Sequence, residues 1–208
     1  MFHHFDGRPS ALRGDPFKAC VVPRPIGWIS SMDRDGRLNL APFSFFNAVS
    51  EEPPMVMFCA NGEHIEGGEK DSIRNVRETS EFVVNLATWE LRDAVNLSSV
   101  RIAHAVSEFE YAHVAQHPST LVRPPRVAAS PIALECRLIQ VIELPGDADA
   151  MNRMVVGRVL GMHIDDQLIE NGRVSIARFR PIARLGYRQY AVIDHTFEMT
   201  RPADVPPA

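Results

Sequence analysis

VVPRPIGWISSMDRDGRLNLAPFSFFNAVSEEPPMVMF, residues 21–58, is the stretch from which the fold is read. Residues 26–32 (IGWISSM) are short, apolar and bounded by turn residues, which predicts a strand. The polar run Asp33-Arg34-Asp35-Gly36 predicts a turn, followed by a second extended segment. Pro23 and Pro25 remove backbone donors, so the strand entry belongs at an edge or a bulge. Pro53-Pro54 marks another turn, and 55–60 (MVMFCA) another strand.

Outward from this stretch the pattern stays mostly extended. Residues 81–86 (EFVVNL) predict a strand. In residues 132–144, Leu134, Cys136, Leu138, Ile142 and Leu144 share one parity, while Glu135, Arg137 and Glu143 take the other. A turn at 145–149 and a second long strand from about Met154 to Ile164 complete an antiparallel hairpin, which Asp165-Asp166 ends. Two helices are expected. Residues 71–79 offer Asp71 and Ser72 as N-caps and place Ile73 and Val76 on one face. Residues 88–98 begin at Thr88 and set Leu91 and Val95 at helical spacing. Residues 101–130 show no clear pattern. The expected class is mainly β with a few short helices, and the missing βαβ rhythm favours a barrel over a doubly wound sheet.

The chain has 208 residues, 45% hydrophobic and 23% charged, which suits one domain with a sizeable core. A formal net charge of -4, with basic residues scattered, argues against a nucleic-acid or anionic-membrane partner. The N-terminal stretch is polar and no apolar run reaches the length of a membrane span, so a cytoplasmic protein is expected. Cys20, Cys59 and Cys136 match no zinc or disulfide spacing and have apolar neighbours, as buried thiols in a reducing compartment would. His104, His113 and His117 are irregularly spaced, so no metal site is expected. Residues 1–14 form an N-terminal extension, 15–201 the domain, and 202–208 (after Arg201) a loose tail.

Two features carry possible chemistry. Ser30, Ser31, Asn39, Ser44 and Asn47 put small polar groups among apolar ones. That mixture suits a slot for a flavin ring, and equally a hairpin whose Ser and Asn side chains satisfy turns. Lys70-Asp71-Ser72 opens a helix with a cation, which opposes the helix dipole unless an anion such as a phosphate sits there too. An ordinary cap with a solvated Lys has the same sequence. His163 fits a hydrogen-bonded structural role or a contact to nicotinamide, and Glu51-Glu52 and Asp165-Asp166 read as solvated turns.

Taken in order, these segments resemble the flavin-reductase-like and flavoredoxin-type FMN-binding split-barrel family. The matching stretches are Pro23 to Ser31, Asn39 to Phe46, Pro53-Pro54, Lys70 to Asn75 and Glu81 to Leu86, and the likeness resumes at Arg184 to Tyr187 and Tyr190. The resemblance implies a Greek-key split β-barrel, a homodimer, and FMN near the interface. By position it places Arg24, Pro25, Gly27, Trp28, Ile29, Ser30 and Ser31 on the flavin, together with Asn39, Ala41, Pro42, Phe43, Ser44 and Asn47. Lys70, Asp71 and Ser72 would hold the phosphate. Tyr187 and Tyr190 would pack on the flavin of either subunit or close the barrel. The stretch Asn61 to Glu69 looks longer than usual and would reshape the phosphate loop or cover the ligand. The implied reaction is reduction of FMN by NAD(P)H, with electrons passed to oxygen, a flavin-dependent monooxygenase or another acceptor. An electron-transfer protein without NAD(P)H turnover and a non-catalytic flavin-binding module remain alternatives. No catalytic side chain is assigned, and no G-x-G-x-x-G is present, so a nicotinamide nucleotide would stack over the flavin without a domain of its own.

Overall fold

The computed structural model describes residues 2, 3, 5, 12–146 and 150–200. The expected tail after Arg201 and the tip of the 145–149 turn lie outside the described residues. Seven strands build one antiparallel sheet: β1 (Gly27–Met32), β2 (Leu38–Phe43), β3 (Phe46–Glu51), β4 (Pro54–Asn61), β5 (Glu81–Leu86), β6 (Ile132–Leu144) and β7 (Asn152–Ile164). Their order across the sheet is β2-β1-β5-β6-β7-β4-β3. The two edge strands are therefore β2 and β3, and only Ser44 and Phe45 separate them in sequence. A flat seven-stranded sheet would be nearly 30 Å across at the usual strand spacing of about 4.8 Å. Two residues cannot cross that distance, so the sheet curls until its edges meet. The result is a barrel whose seam is not hydrogen-bonded strand to strand: a split barrel.

Local chemistry makes the curl possible. Gly36 takes a positive φ of 88° in the β1–β2 turn, where its N–H reaches the Asp33 carbonyl. The β6–β7 hairpin pairs over its whole length but shifts register beside Gly157 and again beside Gly161. Such bulges bend a hairpin and raise its twist. At the seam, Phe46 leans on Gly27, where an added Cβ would lie 2.7 Å from the ring.

The barrel interior holds Ile29, Phe43, Phe46, Phe58, Phe82, Val84 and Val155. Five helices are present among the described residues: α1 (Pro16–Cys20), α2 (Asp71–Thr79), α3 (Arg92–Leu97), α4 (Glu108–Tyr111) and α5 (Ile176–Phe179). Helix α2 forms over the expected span and plugs the barrel with Ile73 and Val76, each burial worth about 1.5–3 kcal/mol. Outside the barrel, Trp28 and Leu40 join Val95 of α3, Phe109 of α4 and Ile182 in a second core. Glu135 shows why parity misleads here. It lies on the outward face, yet residues 120–121 cover it and it is 1% exposed. Burial alone would raise this carboxyl, but hydrogen bonds from Thr120 N–H, His163 Nε2 (2.5 Å) and Leu121 N–H outweigh it and hold the group below the usual carboxylate range. His163 is thus tied into the scaffold.

Several expectations change. Arg24–Pro25 leads into β1 through Ile26 and lies at an edge, as expected, but it is the edge of a separate three-stranded sheet, paired with Ile182–Arg184, which in turn pairs with Tyr190–Val192. Helix α3 starts at Arg92, because Thr88 is bridged to Pro181 instead of capping. Lys70, with no side-chain cap bond, is the N-cap of α2, since the Asp71 carboxylate turns to other partners. Cys20 is exposed, Cys59 is partly buried, and only Cys136 is buried. Residues 101–130 form α4, a short antiparallel pairing of Gln116–His117 with Arg126–Val127, and loops over the sheet.

Gly27→Ala is expected to destabilise the protein by about 1–3 kcal/mol, the usual cost of overpacking. Urea unfolding would measure it. A second change, Phe46→Leu, should recover part of the loss; an unchanged midpoint in Gly27→Ala would contradict the seam contact.

Candidate functional site

Strand β2 is an edge, and its outer side is built up by α4, α2 and the segment 98–102. The groove between them is open to solvent and holds a cavity of about 130 Å3. Asn39, Ala41, Pro42 and Phe43 form one wall, Lys70, Asp71 and Ser72 one end, and Ser98 to Ile102 the opposite wall. An adjoining recess, which shares Pro42 and Ser99 with it, reaches Arg24 and Ser44. The Leu40 N–H leaves the sheet on the groove side, where the Glu108 carboxylate accepts it at 3.0 Å. By strand alternation the Leu40 and Pro42 carbonyls leave on that side too. Proline costs no ladder bond at such an edge.

The rest of the sequence-derived set stands elsewhere. Strand β1 is flanked on both sides by hydrogen-bonded strands, so its side chains go into a core and not into the groove. Trp28 is fully buried and donates to Ser98 Oγ at 2.8 Å, bracing the groove wall from behind. Ile29 is barrel core, Ser30 donates to the Pro125 carbonyl, and Gly27 accommodates Phe46. Pro25 is exposed on the small sheet. Asn47 is exposed on the far edge strand β3 and bonds the adjacent Ala48 N–H. Ser31 reaches the site indirectly: its hydroxyl accepts from Asn39 (3.4 Å) and Asn75 (3.2 Å), while Asn39 also donates to Ser72 Oγ at 2.8 Å. This buried chain fixes Ser72 at the start of α2 with its own O–H proton free to donate.

The electrostatics of the Lys70 end are lopsided. Lys70 is half-buried, and its ammonium has no hydrogen bond or ion pair among the described residues. Burial, and then the charge of Arg101, depress its pKa. The neighbouring Asp71 does not relieve it, because that carboxylate is engaged by Arg74, His104 Nδ1 (2.5 Å) and His64 Nε2 (3.4 Å). An anion would satisfy Lys70, Arg101, the Ser72 hydroxyl and the α2 amides together. A phosphate therefore fits this end of the groove. Glu108 sits close by at 7% exposure, and burial raises its carboxyl to about 7.

Sequence reasoning missed His64, Arg101, Ser98, Ser99 and Glu108. His64 comes from the long 61–69 stretch, where positive φ at Gly67 and Gly68 folds the loop back on itself through His64 N–H to the Gly68 carbonyl. His64 stacks on His104 with ring centroids 3.5 Å apart. Their ligand atoms and those of Asp71 lie within 4.8 Å of one another, a convergence that spacing along the chain does not reveal. Arg74 already supplies a cation to Asp71 and His104, and the Glu66 N–H points at His64 Nδ1, so the cluster is complete as a hydrogen-bonded unit.

Comparison with known proteins identifies the scaffold. The family model for the flavin reductase like domain matches residues 19–189. The chain belongs to the flavin reductase-like family. A Halalkalibacterium halodurans relative is 36% identical over 183 residues, covering 88% of this chain and 87% of that one. Nitrilotriacetate monooxygenase component B from Bacillus cereus has a similar structure, with a TM-score of 0.81 at 29% identity, covering 92% of this chain and all of that one. The 2-nitrobenzoate 2-nitroreductase of Pseudomonas fluorescens gives a TM-score of 0.80 at 30% identity, with 93% and 92% of the two chains covered. Members of this flavin reductase-like family share the split barrel described above. No helix among the described residues is long and apolar enough to cross a membrane.

The Glu108 carboxyl gives a test of the groove's burial. Its folded pKa lies above its unfolded value of 4.5, so the folded state holds the extra proton between 4.5 and about 7, and stability falls as pH rises through that window. Glu108→Gln keeps an acceptor for the Leu40 N–H and removes the charge. Its stability relative to the parent should therefore rise from pH 4.5 to about 7 and then level off, as urea midpoints at a series of pH values would report. Parallel pH profiles for the two proteins would rule out the buried-acid assignment.

Proposed function

We propose that this chain is an FMN-binding oxidoreductase in which NADH or NADPH reduces the flavin, which then passes electrons to a second acceptor. The observation that carries the reading is the unpaired Lys70 ammonium beside Arg101, at one end of a groove whose wall is an open strand edge. Lys70, Arg101 and Ser72 would hold the phosphate. Asn39, Ala41, Pro42, Phe43 and Ser44 would lie along the ring, with the edge carbonyls of Leu40 and Pro42 as acceptors for a ring N–H. When bound, FMN supplies a two-electron carrier that accepts hydride from a dihydronicotinamide. The chain's own residues bind and orient; none is needed as a nucleophile or general acid.

The similarity to a monooxygenase component supports a role in supplying reduced flavin to a partner enzyme. The similarity to a nitroreductase supports a second reading, in which an aromatic nitro compound is the acceptor in the same site. Large apolar side chains left exposed on the strands, among them Val49, Ile139 and Met162, support a homodimer. Light scattering would test that assembly.

Lys70→Ala should weaken FMN by about 10- to 100-fold, the loss of a charge-assisted phosphate contact, and leave riboflavin within about twofold. Fluorescence titration of both ligands reads the difference, and equal losses would sink the phosphate assignment. With FMN added, the protein should oxidise NADH or NADPH. A yellow holoprotein that never does so is an electron carrier or a flavin-binding module without turnover.

A further inference from the structure

The recess beyond Ser44 differs in character from the Lys70 end of the groove. It offers about 620 Å3 of space and is lined by four cations, Lys18, Arg24, Arg184 and Arg188, and a single carboxylate, Asp15. That carboxylate pairs with Lys18 at 3.0 Å. The Arg24 guanidinium donates to the Lys18, Val21 and Leu185 carbonyls, which fix it in place without cancelling its charge. Arg184 donates to the Tyr187 carbonyl and lies 4.5 Å from the centre of the Tyr190 ring. Arg188 is exposed and has no hydrogen bond or ion pair among the described residues. Arg24 and Arg184 are close enough to repel each other, Arg188 lines the same recess, and none of the three forms an ion pair among the described residues. Like charges held together in this way favour an anion that bridges them.

The recess is also preset. Residues 185–189 form a tight turn closed by Leu185 N–H to the Gln189 carbonyl and Gln189 N–H to the Gly186 carbonyl, each 3.0 Å. Gly186 packs so closely on α1 that an added Cβ would lie 2.6 Å from Ala19. Tyr187 is held at φ 55°, a conformation that costs a non-glycine residue about 1 kcal/mol, and its ring lies against Gly14. The turn therefore holds at the recess the backbone that carries Tyr187 and Arg188, next to Tyr190.

We propose that this recess is the binding site for the second reactant, and that it selects a molecule that joins a planar ring to an anionic group. Arg184 and Arg188 meet the anion, while Tyr187 and Tyr190 flank the ring. The inference rests on the reading that the flavin lies along Asn39 to Ser44, because the recess opens beside that segment. Two sources have the required chemistry: a nicotinamide dinucleotide, through its diphosphate, and a free aromatic carboxylate.

The test is calorimetric titration of the FMN-loaded protein with four non-reducing probes: NAD+, NADP+, benzoate and the uncharged benzamide. The anions should bind, and benzamide should bind at least about tenfold more weakly. Arg188→Ala should weaken the anions about tenfold, and Arg188→Lys should restore most of the affinity, while the FMN dissociation constant stays within about twofold in both. Tighter binding of the dinucleotides assigns the recess to the hydride donor; tighter benzoate assigns it to an aromatic acceptor. The proposal fails if no probe binds, if benzamide matches benzoate, or if Arg188→Ala changes nothing. If the parent protein does not take up FMN, the flavin reading falls by itself, and the same titrations on the FMN-free protein decide the recess.

Discussion

The two-residue link between β2 and β3 is the constraint on which the rest of this structure depends. Because Ser44 and Phe45 join opposite edges of one sheet, the sheet must roll up, and the roll makes an inside and an outside. The inside takes the phenylalanines and the α2 plug. The outside takes Trp28 and Leu40 under α3 and α4. The seam stays open to hydrogen bonding along β2, and that open edge is what a groove can be built on. Gly27 and Gly157 allow the close approaches the roll demands, at Phe46 and Phe82 respectively.

The same curl sets the electrostatics. It brings the start of α2, the 61–69 loop and the 98–102 segment to one end of the edge strand. It brings α1 and the 185–189 turn to the other. Each end collects cations from parts of the chain far apart in sequence, Lys70 with Arg101 at one and Arg24 with Arg184 at the other. In both places the nearby carboxylate is already committed, Asp71 to Arg74 and Asp15 to Lys18. Each end suits an anionic group, and the family to which the chain belongs supports flavin binding.

Much of this was legible beforehand. Turn residues, short apolar runs and, in the long hairpin, strand alternation point to six of the seven strands of the large sheet; Phe46–Glu51 carries no such signature, because most of its side chains are exposed. The helix at 71–79 was equally plain, with Ile73 and Val76 on one face. Glu135 was misjudged, since its parity is correct but a loop covers it. The helix expected from Thr88 starts only at Arg92, because a bridge to Pro181 claims Thr88. By resemblance the Arg24 to Ser31 stretch is expected as one flavin-lining strand. Its first two residues belong to another sheet, and the rest lie one strand behind the groove.

By itself the sequence determined the β-rich class, the ordered motifs of the family, and the Asn39 to Ser44 and Lys70 to Ser72 segments that meet at the groove. Those features are written in local propensity, turn chemistry and short-range spacing. The tertiary structure alone decided which side chains face the groove, that Arg101, His64 and Glu108 join it, and that Arg188 stands unpaired beside it. Such facts depend on contacts between residues tens of positions apart, and these form only when the short Ser44-Phe45 link forces the sheet to close.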